Sequence, residues 1–179
     1  MEFAHASTAF ERVLTMGNGG SGKTWLARRI GEQLRHPIIH LDDIHWEPGR
    51  YGIARDRTLR DEMVTAVAKE DHWIMEGVYG QLVNMVLNRV TALIWIDLPE
   101  EACIANVKER GIQGSETQTQ FIGLLKWVAE YRTRTNNWNS FEAHTKLYSA
   151  FPGAKWVLSD RAAVTMFADS LLLAREDRQ

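Results

Sequence analysis

Eight consecutive residues, Gly17-Asn18-Gly19-Gly20-Ser21-Gly22-Lys23-Thr24, complete the pattern G-x-x-x-x-G-K-[ST]. Glycines at these positions let the backbone curl so that successive N–H groups converge on a phosphate, and a following helix adds the positive end of its dipole. Lys23 would then lie along the β and γ phosphates of a nucleotide, and the Thr24 hydroxyl would ligate Mg2+. The same string could also be a glycine-rich turn capping a helix, so its context decides. A second group of interest is His40-Leu41-Asp42-Asp43, at the end of an apolar run. A carboxylate placed there can orient an acceptor hydroxyl and take its proton during in-line transfer, which is the role expected of Asp42. A plain helix-capping aspartate is the competing reading.

The elements that must hold these groups are legible in the apolar pattern. Arg12–Met16, Pro37–Leu41, His72–Met75, Ala92–Ile96 and Ala154–Leu158 have strand length and β-branched or aromatic content. Between them, apolar residues recur at helical spacing: Leu26, Ile30 and Leu34; Leu59, Met63 and Val67; Ile104 and Val107 after Pro99; Phe121, Leu124, Leu125 and Val128; Val164, Phe167, Ala168 and Leu171. Strands alternating with helices predict a parallel, doubly wound α/β sheet, and ligands of such sheets bind beyond the carboxyl ends of the strands. The glycine-rich loop falls between the first strand and the first helix, where phosphate binding requires it. No linker or repeat divides the 179 residues, so one domain over 1–179 is expected.

Composition narrows the function. Net charge is −2, without the basic excess typical of nucleic-acid-binding domains, so nucleic acid is not an expected partner. Cys103 is the single cysteine, which excludes an internal disulfide and argues for a reducing compartment. No apolar run reaches about 18 residues, and the first eleven residues do not have the form of a secretory signal, so a cytoplasmic location without membrane contact is expected. The D-x-x-G and N-K-x-D segments of guanine-nucleotide switches are missing, as are the paired acids of motor and transporter ATPases. A compact phosphotransferase remains. His40, Asp42, Asp43 and His45 could be drawn as a metal site, but a strand would leave His45 beyond its end.

The strand ends add a resemblance. Trp73-Ile74-Met75-Glu76-Gly77-Val78-Tyr79 and Ile96-Asp97-Leu98-Pro99-Glu100-Glu101 resemble the ends of the third and fourth strands in nucleoside monophosphate kinases such as adenylate kinase. Together with His40-Leu41-Asp42-Asp43-Ile44-His45-Trp46-Glu47-Pro48-Gly49, the chain resembles the FlaR-like "topology modulation" proteins over most of residues 12–172, with Glu76 and Val78 in place of that family's aspartate and asparagine. The resemblance implies a three-layer P-loop fold with a five-stranded parallel sheet, a short lid at about 111–117 hinged on Gly111 and Gly114, and an acceptor-binding insertion at about 43–70. It implies ATP and Mg2+ as cofactors, with Glu76 holding the ion through water. Arg110 would close over the nucleotide, Arg132 and Arg134 would grip the transferring phosphate, and Ser159 would border the adenine. The acceptor would meet Asp42, Trp46, Arg55, Gly77 and Tyr79, within a region that also holds Arg50, Tyr51, Arg57 and Arg60. The kinases of this group keep an arginine soon after the third strand; this chain has Tyr79, Gly80 and Gln81, which shifts the expected acceptor from a phosphate towards a hydroxyl. The expected activity is therefore an ATP-dependent kinase acting on a nucleoside, nucleotide or small metabolite. The other readings are a nucleotide-dependent regulatory or DNA-associated protein and a slow ATPase.

Of seven tryptophans, Trp25, Trp73, Trp95, Trp127 and Trp156 fall in predicted elements, where packing is the default role. Trp46 and Trp138 do not; Trp46 is expected to wall the acceptor region.

Overall fold

The computed structural model describes residues 10–114 and 116–176. Ser115 of the expected lid and the Tyr51 side chain lie outside the described residues. Strand β1 (Arg12–Gly17) is flanked by β5 (Trp73–Gly77) and β6 (Ala92–Ile96), with β2 (Ile38–His40) and β7 (Ala154–Leu158) outside them. All four pairings in this five-stranded sheet are parallel. Such strands are covered on both faces, which is why β6 reads as an unbroken apolar run, β5 does so as far as Met75, and both are buried throughout.

On one face, helices α1 (Lys23–Leu34), α5 (Glu100–Arg110), α6 (Gln118–Ala129) and α8 (Arg161–Glu176) bury Leu26, Ile30, Cys103, Val107, Val128, Val164 and Ala168. On the other, α3 (Arg57–Ala68), α4 (Gly80–Val86) and α7 (Phe141–Ala150) bury Val64, Leu82, Val83, Val86 and Leu147 against Met75 and Trp95. The result is the three-layer α/β architecture.

Several expected boundaries move. The second strand stops at His40, and Leu41–His45 forms a short helix, α2. Leu41 and Ile44, one helical turn apart, are both buried, and Asp42 and Asp43 occupy the first turn, where negative charge suits the helix dipole. Leu41 gains its seat because Gly77 has no side chain: a Cβ there would lie 2.7 Å from Leu41 Cβ. Asp42 is therefore aimed by a helix, and the strand alternation expected to set it beside His40 does not apply. The buried stripe of α3 is turned as well, with Leu59 45% exposed and Val64 and Ala68 inside. Pro99 is the N-cap of α5, not its first-turn residue. Helices α4 and α7 and the antiparallel hairpin of β3 (Trp46–Glu47) and β4 (Arg50–Ala54) carry too little periodicity to be seen in the sequence.

Candidate active site

A cavity of about 870 Å3 opens at the carboxyl ends of β1 and β5. Gly19, Gly20, Ser21, Gly22, Lys23 and Thr24 form its floor. The loop is tied down from below: Asn18 accepts from the Gly19 N–H at 2.8 Å and donates through Nδ2 to the Val128 carbonyl at 2.9 Å. Gly20 has φ +74°, and a Cβ there would lie 2.4 Å from the Cys103 carbonyl oxygen, so a glycine is required on both counts. Gly17 supports the loop without lining the cavity; its missing side chain lets the Ile96 carbonyl approach.

Lys23 folds over the loop and donates to the Asn18 carbonyl at 2.6 Å. Burial holds its ammonium below the usual lysine pKa, with Glu76 and Asp42 pulling the other way. Thr24 donates from Oγ1 to Glu76 Oε1 at 3.0 Å, and His40 Nδ1 lies 2.7 Å from the same oxygen. Glu76 is buried.

This donor set fits Mg2+. The ion is hard and is held by one or two carboxylates together with substrate phosphates and water. Among the described residues no three His, Cys, Asp or Glu side chains converge as a metal cage, His40, Asp42, Asp43 and His45 included. A cation at Thr24 and Glu76 would take its other ligands from a nucleotide and from water.

Asp42 lines the cavity and accepts from the Tyr79 hydroxyl at 2.5 Å through Oδ1. Tyr79 stacks on His45, with centroids 4.2 Å apart and planes at 21°, and His45 meets Trp46 edge-on at 4.4 Å. Trp46 is half-buried and lines the same cavity. Arg110 reaches the mouth from the end of α5, and its guanidinium has no hydrogen-bond partner among the described residues.

Other expected site residues are committed elsewhere. Arg55 donates to the carbonyls of Asp43, Ile44 and Trp46, tying the hairpin to α2. Arg132 pairs with Asp97 at 2.6 Å and Glu100 at 2.8 Å. Arg134 donates to the carbonyls of Asn139 and Trp127 and lies over the Trp127 ring at 4.1 Å. None of the three lines the cavity, because nearer acceptors already satisfy each guanidinium. Gly77 is spent on seating Leu41, and Ser159 is exposed outside the cavity. Asp160 caps α8, accepting from the Ala163 N–H at 2.7 Å. In the connection after α5, Gly111 and Gly114 both have positive φ.

The cavity also gathers residues that no motif singles out. Asn106 donates to the Gly20 carbonyl at 2.7 Å and accepts from Arg161, and both line the wall with Val107, Leu124 and Trp127. No sequence pattern marks either residue: Asn106 adjoins the exposed Ala105 in mid-helix, and Arg161 is the exposed first residue of α8. Behind Val78 runs a buried relay. Trp95 Nε1 donates to Tyr131 Oη at 3.2 Å, Tyr131 bonds His144 Nδ1 at 2.6 Å, and His144 Nε2 bonds the Val78 carbonyl at 3.0 Å. Burial pushes the His144 pKa down to about 4, so the ring is neutral.

No family profile matches the sequence, and no curated protein does. Solved structures do. A shikimate kinase from Acinetobacter baumannii in complex with shikimate is similar at 12% identity over 98% of each chain, with a TM-score of 0.58. A shikimate kinase from Bacteroides thetaiotaomicron is 16% identical over 92% of this chain and 98% of that one, with a TM-score of 0.55. A sugar kinase from Janibacter sp. is 14% identical over 92% of this chain and 91% of that one, with a TM-score of 0.50. The fold is that of the P-loop kinases. At these identities the likeness extends to the fold alone.

Proposed function

We propose that the chain is a small ATP-dependent kinase that transfers the γ-phosphate to an acceptor hydroxyl. The reading is carried by one juxtaposition: the Thr24–Glu76 pair, Lys23 and Asp42 line a single cavity. The loop N–H groups and Lys23 hold the β and γ phosphates, and Arg110 offsets charge that spreads over the transferring oxygens. Mg2+ at Thr24 and Glu76 would neutralise the β and γ oxygens. Asp42, held by Tyr79 through one oxygen, orients the acceptor hydroxyl with the other. As the acceptor oxygen bonds to the γ-phosphorus, the bond to the bridging oxygen breaks, ADP leaves, and the hydroxyl proton passes to Asp42.

The likeness to shikimate and sugar kinases supports this class of acceptor. We place the chain with the FlaR-like proteins on the strength of residues 40–49 and 73–79, as a single domain with its acceptor insertion at 43–70 and its lid at 111–117. A cytoplasmic site of action is part of the same proposal; no helix among the described residues is long and apolar enough to cross a membrane. The test is ADP release with ATP and Mg2+, with and without a pool of nucleosides and small hydroxylated metabolites. Acceptor-dependent release that chelation of Mg2+ abolishes is expected. A slow rate that no acceptor raises would overturn the kinase in favour of an ATPase or a nucleotide-dependent regulator.

A further inference from the structure

A second cleft, of about 270 Å3, adjoins the acceptor end of the main cavity. His45, Tyr79 and Asn139 line both, and Tyr79 is also the residue that holds Asp42. The cleft is rich in amides and poor in uncommitted charge. The side chains of Gln81 and Asn136 have no hydrogen-bond partner among the described residues, and Asn139 uses only Oδ1, which accepts from the Gly80 N–H at 3.2 Å. His45 Nδ1 is buried and also unpartnered. Trp138, 48% exposed, offers a ring at the rim.

Among the described residues, the one cation that lines the cleft is paired: Arg60 donates through Nε and Nη2 to Asp61, at 3.0 and 2.7 Å. His45 is held below the usual histidine pKa by burial and by Arg60. Arg55 and Arg134 are bound to backbone carbonyls. A phosphate or carboxylate in this cleft would exchange its hydration for neutral amide donors alone, with the amide oxygens facing it unfavourably. A hydroxyl, which both donates and accepts, matches side-chain amides that do the same.

We infer that the cleft lined by His45, Gln81, Asn136, Trp138 and Asn139 is the outer half of the acceptor site and takes an uncharged polyhydroxylated group, a sugar ring lying against Trp138. The acceptor is then a neutral sugar or glycoside that presents one hydroxyl to Asp42. The inference rests on the kinase reading only for that last hydroxyl.

Ligand-detected NMR on the full chain tests it, with ribose, glucose, inositol, uridine and adenosine as probes beside the corresponding sugar phosphates and nucleoside monophosphates. At least one neutral probe binds, its phosphorylated counterpart binds at least tenfold more weakly, and the Gln81→Ala/Asn136→Ala double variant loses about tenfold in affinity for the neutral probe. ATP affinity, unchanged in the double variant, shows that the variant is folded. Binding by phosphorylated probes only, binding by none, or an affinity that the double variant does not alter would each overturn the inference. A neutral probe that binds through these residues without stimulating ADP release would uphold the cleft and remove the kinase; phosphoryl transfer to anionic acceptors only would do the reverse.

Discussion

At the nucleotide end of the cavity, eight consecutive residues between β1 and α1 supply the backbone donors, the lysine and the hydroxyl. At the proposed acceptor end, Asp42 comes from α2, Trp46 from the hairpin, Tyr79 from the turn after β5 and Asn139 from the segment before α7. The first end is a property of one stretch of backbone, held by the absence of side chains at Gly17 and Gly20. The second is a property of side-chain contacts between distant segments. The two ends should therefore fail in different ways: the loop when atoms are added, the acceptor wall when they are removed.

The largest expected break is at the proposed proton acceptor. Asp42→Asn keeps the shape and the Tyr79 contact but removes the carboxylate proposed to take the proton, so kcat is expected to fall by about 10²–10⁴-fold with ATP affinity within about twofold of the parent. Unchanged turnover in steady-state assays would remove Asp42 from the chemistry. Next comes the relay behind Val78. The His144 pKa of about 4 in the folded protein lies below the ordinary value of 6.5, so the unfolded chain binds more protons between these pH values. Stability from this group is full above about pH 6.5, is lost as pH falls towards 4, and amounts to about 3 kcal/mol over the window. Urea unfolding at pH 7, 6 and 5 should show that loss, and His144→Gln should flatten it; equal slopes in both proteins would discount the buried ring.

At the nucleotide end, Gly20→Ala forces a Cβ against the Cys103 carbonyl at a positive φ, a strain of about 1–3 kcal/mol. ATP affinity measured by calorimetry should fall at least tenfold, and a normal affinity would mean that the loop relaxes around the methyl group. The smallest effect is the most selective. Trp46→Ala should raise the acceptor KM several-fold and leave the ATP KM within about twofold; equal changes in both would return Trp46 to packing.

What could be read in advance follows the same division. The five strands and the phosphate loop are local patterns, and β6 and β7 begin and end at the expected residues. The arginines show the limit. Arg110, Arg132 and Arg134 are alike as letters, yet Arg110 faces the cavity while the other two are taken by Asp97, Glu100 and the carbonyls of Trp127 and Asn139. Which acceptor lies nearest a guanidinium depends on how helices pack, and no spacing encodes it. Asp42 was recognisable as a carboxylate at a strand end, but its aim depends on Leu41 fitting over Gly77.

By itself, the sequence determined the phosphate loop, the parallel sheet and the lack of a basic excess, because backbone conformation, apolar periodicity and net charge are local or summed quantities. Only the tertiary structure decided which cations remain unmatched, which amides face an open cleft, and that Thr24 meets Glu76. Those are questions of distance between segments far apart in the chain, answered when the two faces of the sheet are covered.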